Sequence, residues 1–363
     1  MRARILPCSL IPLVHGATIV ALGLGLVSAA LARDATAPAA SDSPRRRVGE
    51  AMFVPIGGVE QWISIKGADR SNPVVLFLHG GPGDAYSPYA DSMFRGWDKD
   101  FTLVQWDQRG AGRTFGRNGP ANEGPMTIES MEKDGVEVAE YLIEHLQKDR
   151  IIIVGGSWGS ILGIEMAHQQ PDLFFAYVGM AQVVNWQAGL AASYSRVLDL
   201  ARASGDRPAV EALTGLGPPP WDRLSEWGAF RKWERFYQTK VTTAQSAPET
   251  INPEYDSPQE RAQAEAADDF SFGHFMGLTL SGPLTKVDLP ALGTSFAIPI
   301  FMIQGQEDLT APPRLAKAYF ETLRAPHKRF YLARGTGHAP SAIELDLVHD
   351  VLVREVRPLA LGH

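Results

Sequence analysis

Three side chains in this sequence have the types and the order needed to attack and cleave a carbonyl bond: Ser157, Asp308 and His338. A serine hydroxyl is a weak nucleophile until a base takes its proton, and that base needs an acid to orient it. Ser157 stands in Gly155-Gly156-Ser157-Trp158-Gly159, a G-x-S-x-G placed directly after the apolar run Ile151-Ile152-Ile153-Val154. The segment after it, Ser160 to Gln170, is helix-like and stops at Pro171. Strand, sharp turn and helix together make a nucleophile elbow, where small residues allow a strained turn that lifts the hydroxyl out of the sheet. Asp308 follows the apolar run Ile298–Ile303 through Gln304-Gly305-Gln306-Glu307, and the adjoining Glu307 is the alternative acid. His338 follows the run Arg329–Leu332 through Ala333-Arg334-Gly335-Thr336-Gly337. All three lie just past expected strand ends, so loops at one sheet edge can bring them together.

A second group could stabilise negative charge. His79-Gly80-Gly81-Pro82-Gly83 follows the run Val74–Leu78. Consecutive glycines let the backbone pass close to a substrate carbonyl and turn N–H groups inward. The N–H groups of Gly81 and Trp158 are the expected oxyanion donors, with Gly80 beside the substrate; losing one such donor costs about 10²–10³ in rate. His79 reads as a structural hydrogen-bonder. Asp107-Gln108-Arg109-Gly110-Ala111-Gly112-Arg113-Thr114 reads as a loop in which Asp107 and Arg109 brace their neighbours. His145, His168 and His349 fall on helices as packing or surface residues, His274 falls in the region after 186, and His327 precedes its strand.

The elements that must position these groups alternate. Phe53 to Lys66 reads as a hairpin around Gly57-Gly58, followed by the strands Val74–Leu78 and Phe101–Trp106. Thr127–Gln147 has helix periodicity, and Phe174–Met180 reads as a strand. Helices are expected at about 312–324 and 341–355. Strands alternating with helices imply an α/β class with a doubly wound, mostly parallel sheet. Between about 186 and 290 the pattern changes: Pro218-Pro219-Pro220 breaks the chain and Trp186, Trp221, Trp227, Trp233 and Tyr237 cluster. This reads as a helical cap inserted between two core parts, 49–185 and 291–363, roofing the strand edge where ligands bind in open α/β sheets.

Arg2 and Arg4 precede an apolar segment ending in Ala30-Leu31-Ala32, the pattern of a signal peptide over 1–32, with a flexible tether over 33–48. A periplasmic or secreted destination is expected, and a membrane anchor if the leader is retained. Cys8 is the sole cysteine, so the mature chain has no disulfide. A net charge of −7 argues against a nucleic-acid partner, and no Cys/His cluster has metal spacing. No metal or organic cofactor is expected, and the oligomeric state is not fixed by the sequence.

Taken together, His79–Gly83 (HGGPG), Asp107–Thr114 (DQRGAGRT) and Gly155–Ser160 (GGSWGS), with Asp308 and His338 in order, resemble the prolyl aminopeptidase (proline iminopeptidase) family of α/β-hydrolase serine peptidases over about residues 50–185 and 295–355. The resemblance implies the α/β-hydrolase fold with a helical cap, and release of an N-terminal residue, often proline, from peptides or small amides. It supports Ser157 as nucleophile, Asp308 as orienting acid, His338 as base, and Gly81 with Trp158 as oxyanion donors. It also implies cap glutamates that hold the substrate's free amine, one in a Trp-Glu pair. Trp233-Glu234 is the candidate pair, in basic surroundings, and Asp268-Asp269 a loose second. The alternatives are a small-ester or lactone hydrolase and, from another class, a non-catalytic ligand-binding protein. Epoxide and haloalkane enzymes use a carboxylate nucleophile, which serine at 157 contradicts.

Overall fold

The computed structural model describes residues 47–362. The expected signal peptide and nearly all of the tether lie outside the described residues. Eight strands form one sheet: β1 (Val48–Ile56), β2 (Val59–Gly67), β3 (Val74–Leu78), β4 (Thr102–Asp107), β5 (Ile151–Gly156), β6 (Phe174–Met180), β7 (Ile300–Gly305) and β8 (Lys328–Ala333). Their spatial order is β1-β2-β4-β3-β5-β6-β7-β8. β2 is antiparallel to β1 and β4, and the remaining pairs are parallel. β1 starts at Val48, the last residue of the expected tether, which is itself buried.

The helices are α1 (Ala90–Met93), α2 (Gly112–Asn118), α3 (Ile128–Leu146), α4 (Trp158–Gln169), α5 (Trp186–Ala203), α6 (Arg207–Leu216), α7 (Leu224–Val241), α8 (Pro258–Met276), α9 (Pro313–Thr322), α10 (Ala342–Val351) and α11 (Arg357–Leu361). Every residue of β3, β4, β5 and β7 is buried. Leu76, Leu78, Ile151 and Ile153 join one apolar cluster, while Val75, Phe77, Ile152 and Val154 join another. Strands buried on both faces read as continuous apolar runs, which is why they were visible in the sequence. β3 lies between β4 and β5, so the chain leaves it in one direction and returns on the other side. Such a switch point opens a crevice at the carboxyl ends of the strands. The loop after β3 and the elbow after β5 therefore emerge side by side.

The inserted segment folds as α5–α8 in two parts. Leu190, Val197, Leu213, Trp221, Phe230 and Tyr237 give α5, α6 and α7 an apolar cluster of their own. α8 is instead tied to the core. Ser271 Oγ donates to the Gly110 carbonyl at 2.7 Å. Arg113 stacks over Trp62 and Tyr255 at 4.7 and 3.9 Å and pairs with Glu260 at 3.0 Å.

One expectation is corrected. Asp107–Thr114 is not all loop, because α2 begins at Gly112. Asp107 Oδ2 accepts the Arg113 N–H at 2.9 Å and satisfies a free donor of that first turn. Seven residues with glycines at 112 and 116 carry little helix propensity, so packing against α8 decides the conformation. The bracing role holds: Arg109 makes a buried two-point pair with Asp134 at 2.8 and 2.9 Å and donates to the Gly57 carbonyl. Among the described residues, no helix is long and apolar enough to cross a membrane, and no cluster of His, Cys, Asp or Glu could hold a metal ion.

Candidate active site

Ser157 sits between β5 and α4 with φ +49° and ψ −112°, a conformation costly for a residue with a side chain. The neighbouring glycines make it possible. A Cβ on Gly155 would fall far inside van der Waals contact with the Gly159 carbonyl, and one on Gly159 would do the same with the Leu78 carbonyl. These are backbone atoms of a buried strand and helix start, so they cannot step aside. Gly159→Ala is therefore expected to destabilise the protein by about 3 kcal/mol or more, read as a lowered denaturation midpoint.

The three candidate triad groups meet. Ser157 Oγ lies 2.9 Å from His338 Nε2. His338 Nδ1 lies 2.9 and 3.1 Å from the two oxygens of Asp308. His338 pairs with Asp308 and not with Glu307. Asp308 is fixed in turn: its Oδ1 accepts the N–H groups of Thr310 and Ala311, both at 2.8 Å, and its Oδ2 accepts Gln304 Nε2 at 3.3 Å. Burial works against a charged His338 ring, but the Asp308 carboxylate, by charge and hydrogen bond, outweighs it and holds the ring above its ordinary value.

The candidate oxyanion donors lie in the loop after β3 and at the start of α4. Gly81 has φ +111°, open to glycine, and faces the cavity. A Cβ on Gly80 would lie 3.7 Å from Ser157 Cβ, so this loop passes directly over the elbow. The N–H of Trp158 is at the start of α4, where helix N–H groups are unpaired and the dipole favours negative charge. His79 is structural, as expected. Burial lowers its pKa to about 4, so the ring is neutral, with Nδ1 2.8 Å from the Gly80 carbonyl and Nε2 accepting the Gln108 N–H at 3.1 Å. Gln108 Oε1 also accepts the Trp158 indole N–H at 2.9 Å. Gln108 thus ties the loops after β3, β4 and β5 together, a role its place in a charged, glycine-rich loop did not signal.

Ser157 and His338 open into a cavity of about 890 Å³ under the cap. That is within the range of small-molecule sites, about 300–1,000 Å³. Gly80, Gly81, Trp158 and Glu234 also line it.

A family model described as the alpha/beta hydrolase fold matches residues 73–343. The chain belongs to the α/β-hydrolase fold family. Among curated proteins it is similar to Probable aminopeptidase YbaC of Bacillus subtilis (strain 168), 28% identical over 302 residues, covering 83% of this chain and 94% of that protein. It is 23% identical over 290 residues to a proline iminopeptidase of Lactobacillus delbrueckii subsp. bulgaricus, covering 79% and 91%. A proline iminopeptidase of Arabidopsis thaliana matches at 37% over 107 residues, only 29% of this chain and 25% of that one. The crystal structure of a proline iminopeptidase of Mycobacterium smegmatis superposes with a TM-score of 0.59 at 19% identity, covering 86% and 99%. At that identity the superposition speaks for the fold alone. The motif resemblance to prolyl aminopeptidases and the α/β-hydrolase architecture both stand, and relatives named as aminopeptidases are consistent with a hydrolase.

Within this α/β-hydrolase, the cap residues depart from expectation. Glu234 is buried in the cavity wall, but its carboxylate is already engaged. One oxygen pairs with Arg231, three residues earlier on α7, and the other accepts the Thr310 hydroxyl at 2.6 Å. The basic surroundings of Trp233-Glu234 in the sequence thus supply its partner. Three more carboxyls line other walls: Asp84 in the loop after β3, Glu249, and Asp268 on α8, the last partly offset by the charge of Arg235. Asp84 is exposed to solvent and lines the cavity. Enclosure by protein pushes its carboxyl up to about 6, and the charges of Asp268 and Glu249 add to the rise. Glu344 on α10 is buried with one oxygen lacking a hydrogen-bond partner. Its pKa is pushed up to about 8, by burial first and then by Asp308. Asp84 directly follows the HGGPG motif, whose glycines are the stronger signal in the sequence.

Proposed function

We propose that this chain is an exported serine hydrolase acting as an aminopeptidase, with Ser157 forming an acyl-enzyme. The observation that carries the reading is the unbroken line Ser157–His338–Asp308 opening into a cavity that Gly81 and Trp158 also line. In the first half-reaction Ser157 Oγ bonds to the substrate carbonyl carbon while its proton passes to His338 Nε2. Negative charge builds on the carbonyl oxygen, facing the N–H groups of Gly81 and Trp158. The carbon–nitrogen bond then breaks, and the leaving amine takes the proton from His338. Water repeats the sequence on the acyl-enzyme, giving its proton to His338, and the acid leaves as Ser157 regains a proton. The acyl part would be the N-terminal residue, and the leader 1–32 would direct export.

The aminopeptidase reading draws on the cluster of carboxyls in the cavity wall, which the charge of Arg235 offsets only at Asp268. A cationic amine on the acyl side would relieve the mutual repulsion of Asp84, Asp268 and Glu249, and each charge-assisted hydrogen bond is worth about 1.5–3 kcal/mol. The test is a rate comparison of proline and alanine naphthylamides with free amines, their N-blocked forms, and a short-chain nitrophenyl ester. Free-amine substrates are expected to be turned over fastest. Asp84→Asn should raise their KM by about 10–100-fold and leave the ester rate near wild type. The same KM should rise as pH falls through about 6, because protonating Asp84 removes the charge the amine needs. Ester turnover without amide turnover would assign an ester or lactone hydrolase instead.

A further inference from the structure

Gln238, near the C-terminal end of α7 in the cap, reaches into the loop that carries Asp308. Its Nε2 donates to the Glu307 carbonyl at 2.7 Å, and its Oε1 accepts the Leu309 N–H at 2.8 Å. These two partners are the residues on either side of Asp308. The same amide packs against the loop that carries His338: a Cβ on Gly337 would collide with Gln238 Nε2. Two further contacts make the docking broad. Glu234, one turn earlier on α7, accepts the Thr310 hydroxyl at 2.6 Å. Just past the helix, the N–H groups of Thr243 and Ala244 donate to the Gly335 carbonyl at 2.9 and 3.0 Å. The acid and base loops also touch directly, through the Glu307 N–H and the Thr336 carbonyl at 2.8 Å.

These contacts divide the work. Thr310 and Ala311 in the same loop, and Gln304 at the end of β7, fix the Asp308 carboxylate. They do not set where that loop stands against the His338 loop. Gln238 touches both loops, and its two-ended amide fixes the backbone on both sides of the acid. We infer that Gln238 is a positioning residue of the triad, through which the cap sets the register between Asp308 and His338. The inference rests on the serine-hydrolase reading above. It gives the cap a second role besides enclosing substrate, since the docked end of α7 adds to the direct contact between the acid and base loops a tie that spans both.

The test compares wild type with Gln238→Met, similar in volume but unable to make these hydrogen bonds, and Gln238→Ala. Lys240→Ala, on the exposed side of the same helix, is the control. Three quantities are read: the second-order rate of fluorophosphonate labelling at Ser157, kcat and KM, and the acid limb of kcat against pH. The labelling rate counts only protein that labels, so a partly unfolded sample does not mimic the effect. Both variants are expected to lower labelling rate and kcat by about 10–100-fold with KM within about twofold, as misplacement by about 1 Å can cost 10². The limb should move to lower pH. Asp308 and Glu234 raise the His338 ring while Arg231 lowers it, and a drifting Asp308 withdraws the largest raising influence. Unchanged labelling and an unmoved limb in both variants would overturn the inference. Wild type that is not labelled at Ser157 would overturn the serine reading and this inference with it.

Discussion

Ser157→Ala is expected to lower kcat by roughly 10⁴–10⁶-fold while the folded protein is retained, as loss of the nucleophile does in triad enzymes. The structure gives reasons for both halves. The Ser157 hydroxyl has His338 Nε2 as its side-chain partner, so its removal costs the fold about 1 kcal/mol. The strained φ of +49° is imposed by the strand, the helix and the glycines, and alanine inherits it unchanged. What disappears is the atom that bonds to carbon. The glycine loop, the N–H of Trp158 and the cavity survive, so substrate affinity should stay close to wild type. Measuring kcat and KM with a denaturation midpoint beside them checks both halves.

Asp308→Asn is expected to lower kcat by about 10⁴-fold, and its surroundings say why. Oδ1 accepts the N–H groups of Thr310 and Ala311, so an asparagine must place its carbonyl oxygen there. Its NH₂ then takes the Oδ2 position, facing His338 Nδ1. Nδ1 becomes the acceptor, the ring proton moves to Nε2, and Nε2 can no longer take the serine proton. The pH dependence adds a second sign. The His338 ring must be neutral to act as the proposed base, so wild-type activity is expected to fall as pH drops through a value above the ordinary imidazole one, because Asp308 favours the charged ring. Without that charge, the acid limb of the residual activity should lie at lower pH. A pH series on both proteins checks this.

Much of this was legible in the sequence for a physical reason. The central strands are buried on both faces, so they appear as uninterrupted apolar runs, and each expected strand is present within a few residues. The elbow was legible because its glycines have no substitute where backbone meets backbone. Other features left no such mark. The order β4-β3-β5 is a matter of long-range pairing, which no local pattern encodes. α2 holds two glycines and is helical only through its packing on α8. Glu234 looked available for a ligand because its engagement by Thr310 spans 76 residues of chain. Gln238 is a neutral side chain on an amphipathic helix, and nothing in its neighbours hints at the two loops it meets.

The central claim is that the bond to substrate forms at Ser157. The most direct measurement is rapid acid quenching during turnover of a nitrophenyl ester or amino-acyl naphthylamide, followed by mass analysis of the peptides. The account predicts the acyl mass on the peptide containing Gly155–Gly159, carried by Ser157 and absent from Ser157→Ala. Turnover with the acyl group on another residue, or undiminished turnover by Ser157→Ala, would contradict it.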